Sequence, residues 1–127
     1  MTTVQRVAQL FGWIFVLIGA LGFIYAPGMQ SGLLLGIFPV NLVHNIVHIL
    51  FGIWGIMSAR TFAGARGYGQ MAGILYLVLA VAGIFFPDGF GLVPLGGNDI
   101  WLHAALGVIL AFFGFTAKDG GMSAAAA

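Results

Sequence analysis

Three histidines are the residues of this chain best suited to chemistry: His44, His48 and His103. His44 and His48 are four residues apart, so a helix would place both imidazoles on one face. If Asn41 and Asp99 cap the helices that follow them, His44 and His103 lie in a first helical turn and His48 lies one turn deeper. The positive end of a helix disfavours the imidazolium. We therefore expect neutral imidazoles, which can ligate a metal, a haem iron or a chlorophyll magnesium.

A structural role for the same histidines is the main alternative. Each imidazole could hydrogen-bond a loop carbonyl or a neighbouring helix. The polar neighbours that could join it in tying loops to helix ends are Asn41, Asn45, Asn98 and Asp99. Proton transfer or catalysis is a third interpretation. The spacing of His44 and His48 lacks the glutamate of the zinc-protease motif, which excludes that enzyme class.

The composition excludes several other kinds of chemistry. The 127 residues contain no cysteine, so disulfides and thiolate sites are absent, and no basic cluster exists to hold nucleic acid. Neither a Ser-His-Asp set nor a phosphate-binding glycine loop can be recognised. We expect Asp88 and Asp99 to lie in flexible or capping positions of a loop. The apolar runs then hold no buried carboxylate, which argues against an ion-coupled transporter. A non-enzymatic role is favoured.

The elements that must position the histidines are membrane-spanning helices. Charged residues make up 6% of the chain, whereas a soluble domain has about 25%. Four apolar runs approach the roughly 20 residues needed to cross a bilayer. The sequence therefore predicts an all-α fold, a four-helix transmembrane bundle forming a single domain over 1–127, with spans at about 7–26, 42–58, 69–86 and 100–116.

The positive charges predict the orientation. Arg6 precedes the first span, Arg60 and Arg66 lie between the second and third, and Lys118 follows the fourth. By the positive-inside rule, both termini are cytoplasmic. The two remaining loops, 27–41 and 87–99, are apolar and rich in glycine and proline. We expect them to cover the outer end of the bundle.

The chain also contains an internal repeat. Residues 11–28 match residues 72–89 without a gap, and residues 44–56 match residues 103–115 less closely. Each unit is a helical hairpin, so the two copies would share one orientation; chance likeness between apolar, glycine-rich helices is the alternative. Small residues let helices approach closely in lipid, and the glycines expected to do so are Gly52, Gly55, Gly69, Gly73, Gly107 and Gly114.

Two motifs carry a resemblance to a known family. One is FPVN-x-x-HN-x-x-H (38–48) and the other is PLGGND-x-x-LH (94–103). With these motifs the chain resembles the bacterial domain-of-unknown-function family numbered 4383, over nearly its whole length. It is also loosely similar to the small four-helix proteins that include DoxX. The resemblance implies a fold and no reaction, together with a residue set: Asn41, His44, Asn45, His48, Asn98, Asp99 and His103.

Three functions follow as expectations. The first is a non-enzymatic accessory subunit of a bacterial inner-membrane complex, embedded in the lipid bilayer and packed against a larger complex or further copies of itself. The second is a histidine-ligated haem- or chlorophyll-binding subunit of a photosynthetic or respiratory complex, with His44, His48 and His103 as ligands. The third is a DoxX-like, quinone-linked redox subunit. The sequence does not specify the cofactor, and it indicates no nucleic-acid partner.

Overall fold

Four α-helices form the fold in the computed structural model, which describes residues 1–118; residues 119–127 of the predicted single domain lie outside the described part. The helices are α1 (Thr3–Tyr25), α2 (Leu42–Ser58), α3 (Phe62–Phe85) and α4 (Asp99–Thr116). The predicted all-α four-helix bundle is confirmed. Helices α1, α3 and α4 are long and apolar enough to cross a membrane. Helix α2, with 17 residues, reaches the lower end of the range for a span.

Two helices begin earlier than the predicted spans 7–26 and 69–86. Thr2 caps α1, and the hydroxyl of Thr61 caps α3 by accepting the N–H of Gly64 at 2.9 Å. These caps satisfy backbone donors that the first helical turn leaves free, so the turns that precede the predicted spans remain helical. The helices therefore extend beyond the apolar segments from which the spans were predicted.

The helices pack as two hairpins, α1 with α2 and α3 with α4. In the first hairpin Gly12 lies against the backbone of Gly52, and in the second Gly73 lies against the backbone of Ala111. The internal repeat aligns Gly12 with Gly73, and Gly52 with Ala111. Both hairpins thus cross at equivalent positions, as a repeat requires, and a small residue permits the close approach each time.

Aromatic side chains join the two hairpins. The rings of Phe15 on α1 and Tyr76 on α3, which the repeat also aligns, lie 5.3 Å apart between centroids. Tyr68 on α3 donates its hydroxyl to the carbonyl of Phe51 on α2 at 3.0 Å. Phe15, Tyr68 and Tyr76 are all buried. Aromatic side chains therefore fill much of the core between the two hairpins.

The two long loops cover one end of the bundle. The first contains an antiparallel hairpin, β1 (Gly32–Leu34) and β2 (Phe38–Val40), in which Leu33 pairs with Pro39. The second contains a short 3₁₀ turn, Gly89–Gly91. The predicted all-α fold included no strand in these loops. Strands of three apolar residues lack the alternating pattern that predicts a strand, so the hairpin was missed.

The outward faces of all four helices carry exposed, large apolar side chains. Examples are Leu17 on α1, Leu50 on α2, Val78 on α3 and Phe112 on α4. A water-soluble protein would not expose such an extensive apolar surface. The bundle is built to contact membrane lipid.

Candidate functional site

The three histidines lie at the covered end of the bundle, on α2 and α4. Helix α2 begins at Leu42 because Asn41 caps it: the Asn41 side-chain oxygen accepts the N–H of His44 at 3.0 Å. His44 therefore lies in the first turn of α2, with His48 one turn further along. His103 occupies the fifth position of α4. The covering loops and the two helix starts bring these side chains to one level of the bundle.

The imidazoles form one cluster. The rings of His44 and His48 stack with centroids 4.3 Å apart, and the centroids of His44 and His103 are 6.4 Å apart. Each residue offers one nitrogen that lies within 4.8 Å of those of the other two. All three side chains are buried. The structure thus brings together every candidate ligand that the sequence analysis named.

An aromatic floor supports this histidine cluster. Phe15 packs edge-on against His48, with ring centroids 5.5 Å apart, and Tyr76 lies 5.3 Å from His103. Tyr76 also contacts His48 at 6.3 Å. These rings therefore pack against the imidazoles from the side facing the core. Tyr76 was not recognised as a site residue in the sequence analysis, since its position in an apolar run looks like ordinary core.

Asp99 differs from its expected role. The N-cap position of α4 belongs to Asn98, which makes no side-chain capping bond, and Asp99 is the first residue of the helix. Its side chain is 0% exposed, and one carboxylate oxygen lies 4.0 Å from Nε2 of His44. The expectation that the bundle holds no buried carboxylate is therefore wrong. The sequence analysis placed Asp99 in a flexible or capping position of the loop, whereas the covering loop packs over the histidines and α4 begins at Asp99, which buries its side chain.

Several polar atoms of the site are buried without a hydrogen-bond partner among residues 1–118. They include both ring nitrogens of His44, Nδ1 of His48, Nδ1 of His103 and both carboxylate oxygens of Asp99. Leaving one such group unpaired costs about 1–3 kcal/mol. Buried polar groups in native proteins are nearly always paired or ligated. The concentration of these atoms around one point makes the cluster a candidate binding site for a ligand, a metal ion or ordered water.

The asparagines named in the sequence analysis connect loops and helices around the site. The Asn41 amide donates to the carbonyls of Leu92 (3.0 Å) and Met29 (3.3 Å), one in each covering loop. The Asn45 amide donates to Ala26 at the end of α1, at 2.9 Å. A further bond joins the loops, from the Asn98 amide to Ile37, and the Trp101 indole donates to Asn98, both at 3.0 Å.

Replacing Asn41 with Ala is expected to lower the free energy of unfolding by about 1–2 kcal/mol, because it removes the cap of α2 and two loop bonds. Unfolding in detergent micelles, followed by circular dichroism, measures the loss. Asn98→Ala is the matched control, since its bond to Ile37 is exposed to solvent and should contribute less. Equal losses in both variants would contradict this role for Asn41.

A cavity of about 280 Å³ lies beside the histidine cluster, between α2 and α3. Its lining is mostly apolar and also includes His44, His48, His103 and Tyr76. The covering loop contributes Leu92 and Leu95. The imidazoles therefore adjoin an apolar space, and His44 also lies beside the buried carboxylate of Asp99.

A comparison with known families now gives these residues a context. A family model described as "Domain of unknown function (DUF4383)" matches residues 5–116. The chain belongs to this family. No curated protein and no solved structure matches it.

The matched range of this DUF4383 chain contains the whole site and nearly all of the four helices. The family resemblance stated from the two motifs is thereby confirmed. The looser likeness to DoxX is not confirmed. Since the family has no assigned activity, the chemistry of this DUF4383 protein has to be argued from the geometry of its own residues.

Proposed function

We propose that this protein is a non-enzymatic membrane subunit that binds a single first-row transition-metal ion through His44, His48 and His103. The observation that carries the proposal is the convergence of three buried imidazoles, with ligand nitrogens all within 4.8 Å of one another. Imidazole is a preferred ligand for zinc, copper, iron and nickel. The aromatic floor and the covering loops would keep the site closed to bulk water.

The spacing of the nitrogens suits a small ion. Metal–nitrogen bonds of about 2.0–2.1 Å in tetrahedral geometry separate neighbouring nitrogens by roughly 3.3 Å. The present separations, up to 4.8 Å, close to that value through modest rotations of the imidazole rings. The backbone of α2 and α4 need not move for this, because each histidine projects from a regular helix.

The charge of the surroundings also suits a cation. Placing an ion in an apolar interior is costly unless the protein provides opposite charge. The buried carboxylate of Asp99, 4.0 Å from Nε2 of His44, can provide it. Carboxylates commonly orient metal-bound imidazoles from just outside the ligand shell. Asp99 accordingly has a positioning role in the proposal.

A tetrapyrrole is less well supported than a single ion. A haem or chlorophyll ring needs a wide, flat slot against a histidine nitrogen. Here the His44 and His48 rings stack on each other at 4.3 Å, and the adjoining cavity measures about 280 Å³. A cavity of about 150 Å³ already holds a benzene ring, so this one has room for little more than one substituted ring.

Metal analysis tests the proposal. The protein is extracted in detergent without chelators and its metals are measured; the metal-free form is then titrated with Zn²⁺ or Cu⁺ against a coloured chelator. We expect one ion per chain. The triple variant His44→Ala, His48→Ala, His103→Ala is a clean control, since the chain has three histidines and no cysteine.

Binding no tighter in the native chain than in the triple variant would overturn the metal site. A Soret or chlorophyll absorption band that is lost in the triple variant would replace the ion with a tetrapyrrole. Either outcome is read from the same preparations, so the metal and pigment alternatives are separated directly.

The proposed accessory role depends on what packs against the outward faces of this subunit in the membrane. The exposed apolar side chains on all four helices offer surfaces to lipid and to neighbouring helices alike. We propose that the protein lies in the bacterial inner membrane beside a larger complex or further copies of itself. Extraction in a mild detergent followed by native electrophoresis measures the size of its assembly; a migration matching the isolated chain would contradict the accessory role.

The proposed orientation places both termini in the cytoplasm, supported by Arg6, Arg60, Arg66 and Lys118. Because the chain has no cysteine, single cysteines can report accessibility. Ser31→Cys in the first covering loop should react with a membrane-impermeant maleimide added to intact spheroplasts. Ala63→Cys, at the opposite end of the bundle, should react only after permeabilisation. Both side chains are exposed, and the reverse pattern would invert the orientation.

A further inference from the structure

The lining of the cavity beside the histidine cluster combines apolar side chains with imidazoles. Its side walls are apolar and include Val47 on α2 together with Leu75 and Leu79 on α3. Leu75 is 39% exposed on the outer surface of the bundle, so the cavity opens sideways between α2 and α3. This surface is built to contact lipid. A ligand would therefore reach the cavity from the bilayer and not from water.

The size of the cavity suits a ligand of about one ring. Its volume is about 280 Å³, and an apolar cavity of about 150 Å³ accommodates benzene. A single ring with a few substituents therefore fits. A longer tail could extend through the lateral opening into the lipid.

The histidine side of the cavity adds a polar requirement. His48, His103 and the ring of Tyr76 line it, and Nε2 of each of these two imidazoles makes no hydrogen bond among residues 1–118 and, unlike Nδ1, is not fully buried. A neutral imidazole both donates and accepts hydrogen bonds. Pockets for small molecules generally combine apolar walls with a few convergent polar groups of this kind. The aromatic side chains Phe51 and Tyr76 offer faces or edges against which a flat ring can pack.

We infer that this cavity binds a lipophilic, single-ring aromatic molecule that carries a hydroxyl or carbonyl oxygen and enters from the bilayer between α2 and α3. The ring occupies the apolar part of the cavity and the oxygen points to the histidine cluster. The inference goes beyond metal binding, because it rests on the cavity and its lateral opening.

Fluorine NMR with three small probes tests the inference on the native chain. The probes are 4-fluorophenol, which carries a hydroxyl, 4-fluoroacetophenone, which carries a carbonyl, and 4-fluorotoluene, which carries neither. We expect saturable binding of at least one oxygenated probe, roughly two- to tenfold tighter than that of 4-fluorotoluene, the effect of about one hydrogen bond. Each affinity is corrected for partition of the probe into empty detergent micelles. The tighter oxygenated probe identifies the ligand as a hydroxyl or a carbonyl compound.

Variants of α3 locate the binding to the cavity. Leu79→Trp fills the space and should lower probe affinity more than tenfold, and Leu75→Trp at the opening serves as a second variant if the first does not fold. Val78→Trp is the matched control: Val78 neighbours Leu79 but is 55% exposed on the outer face. It should leave affinity unchanged.

Equal affinity for all three probes, or equal binding in native protein and both cavity variants, would overturn the inference. Metal binding is measured in the same samples. Since Leu79 and Leu75 offer no ligand atoms, their variants should keep the metal ion. A cavity variant that loses probe binding but keeps the metal ion would show that the two kinds of binding are separate. A native protein that binds the probes but holds no metal ion would support this inference and contradict the proposed metal site.

Discussion

Replacing His44 with Leu is expected to leave the metal-free protein at least as stable as the native chain while abolishing its stabilisation by metal. Both ring nitrogens of His44 are buried without partners among residues 1–118. An apolar side chain of similar size removes a cost of about 1–3 kcal/mol for an unpaired polar group. Native protein at a metal concentration of 100 Kd should gain about 2.7 kcal/mol, and the variant should gain nothing.

The measurement is the free energy of unfolding in detergent, with a chelator and then with Zn²⁺ or Cu⁺. Asn45→Leu is the matched control: Asn45 is a buried polar neighbour on α2 that, like His44, has an unpaired atom (Oδ1) among residues 1–118, but its amide also donates to Ala26 at 2.9 Å. That variant should lose about 1–3 kcal/mol whether or not metal is present. If His44→Leu destabilises the metal-free protein as much as Asn45→Leu does, His44 has a structural role and is not a metal ligand.

Replacing Gly73 with Leu is expected to destabilise the fold by more than about 3 kcal/mol, beyond the usual range for overpacking. A Cβ at residue 73 would overlap the backbone of Ala111 on α4, and a backbone cannot rotate away as a side chain can. The hairpin of α3 and α4 would have to separate along its length. Gel filtration in detergent reports the fraction of folded protein, and chemical unfolding reports the loss in free energy.

Gly67→Leu is the control for Gly73→Leu, since it lies on the same helix and a Cβ there meets no atom within 4 Å. Removing a glycine from a helix stabilises it by about 0.5–1 kcal/mol, so this variant should be neutral or slightly stabilised. Similar destabilisation by both substitutions would mean that the α3–α4 crossing is looser than described.

The membrane class, the helices and the family were predictable from the sequence because their signals are local. Long apolar runs separated by the few charged residues predict helices that cross lipid, and three of them meet the length and composition of a span. Two of the glycines expected at close helix contacts, Gly52 and Gly73, do lie where two helix backbones approach each other. The motif around Asn41 and His44 combined a cap with candidate ligands, and the structure shows that cap.

The composition of the site was decided by the tertiary structure. Whether His44 and His103 face each other depends on how α2 and α4 are rotated within the bundle, which helical spacing in either segment does not determine. Asp99 looked like a loop residue and became a buried neighbour of His44 because the covering loop folds inward. The role of Tyr76 and the cavity between α2 and α3 likewise arise only when separate helices pack. Sequence patterns specify which residues are apolar along one helix, whereas the contacts between helices depend on backbone approach across the whole bundle.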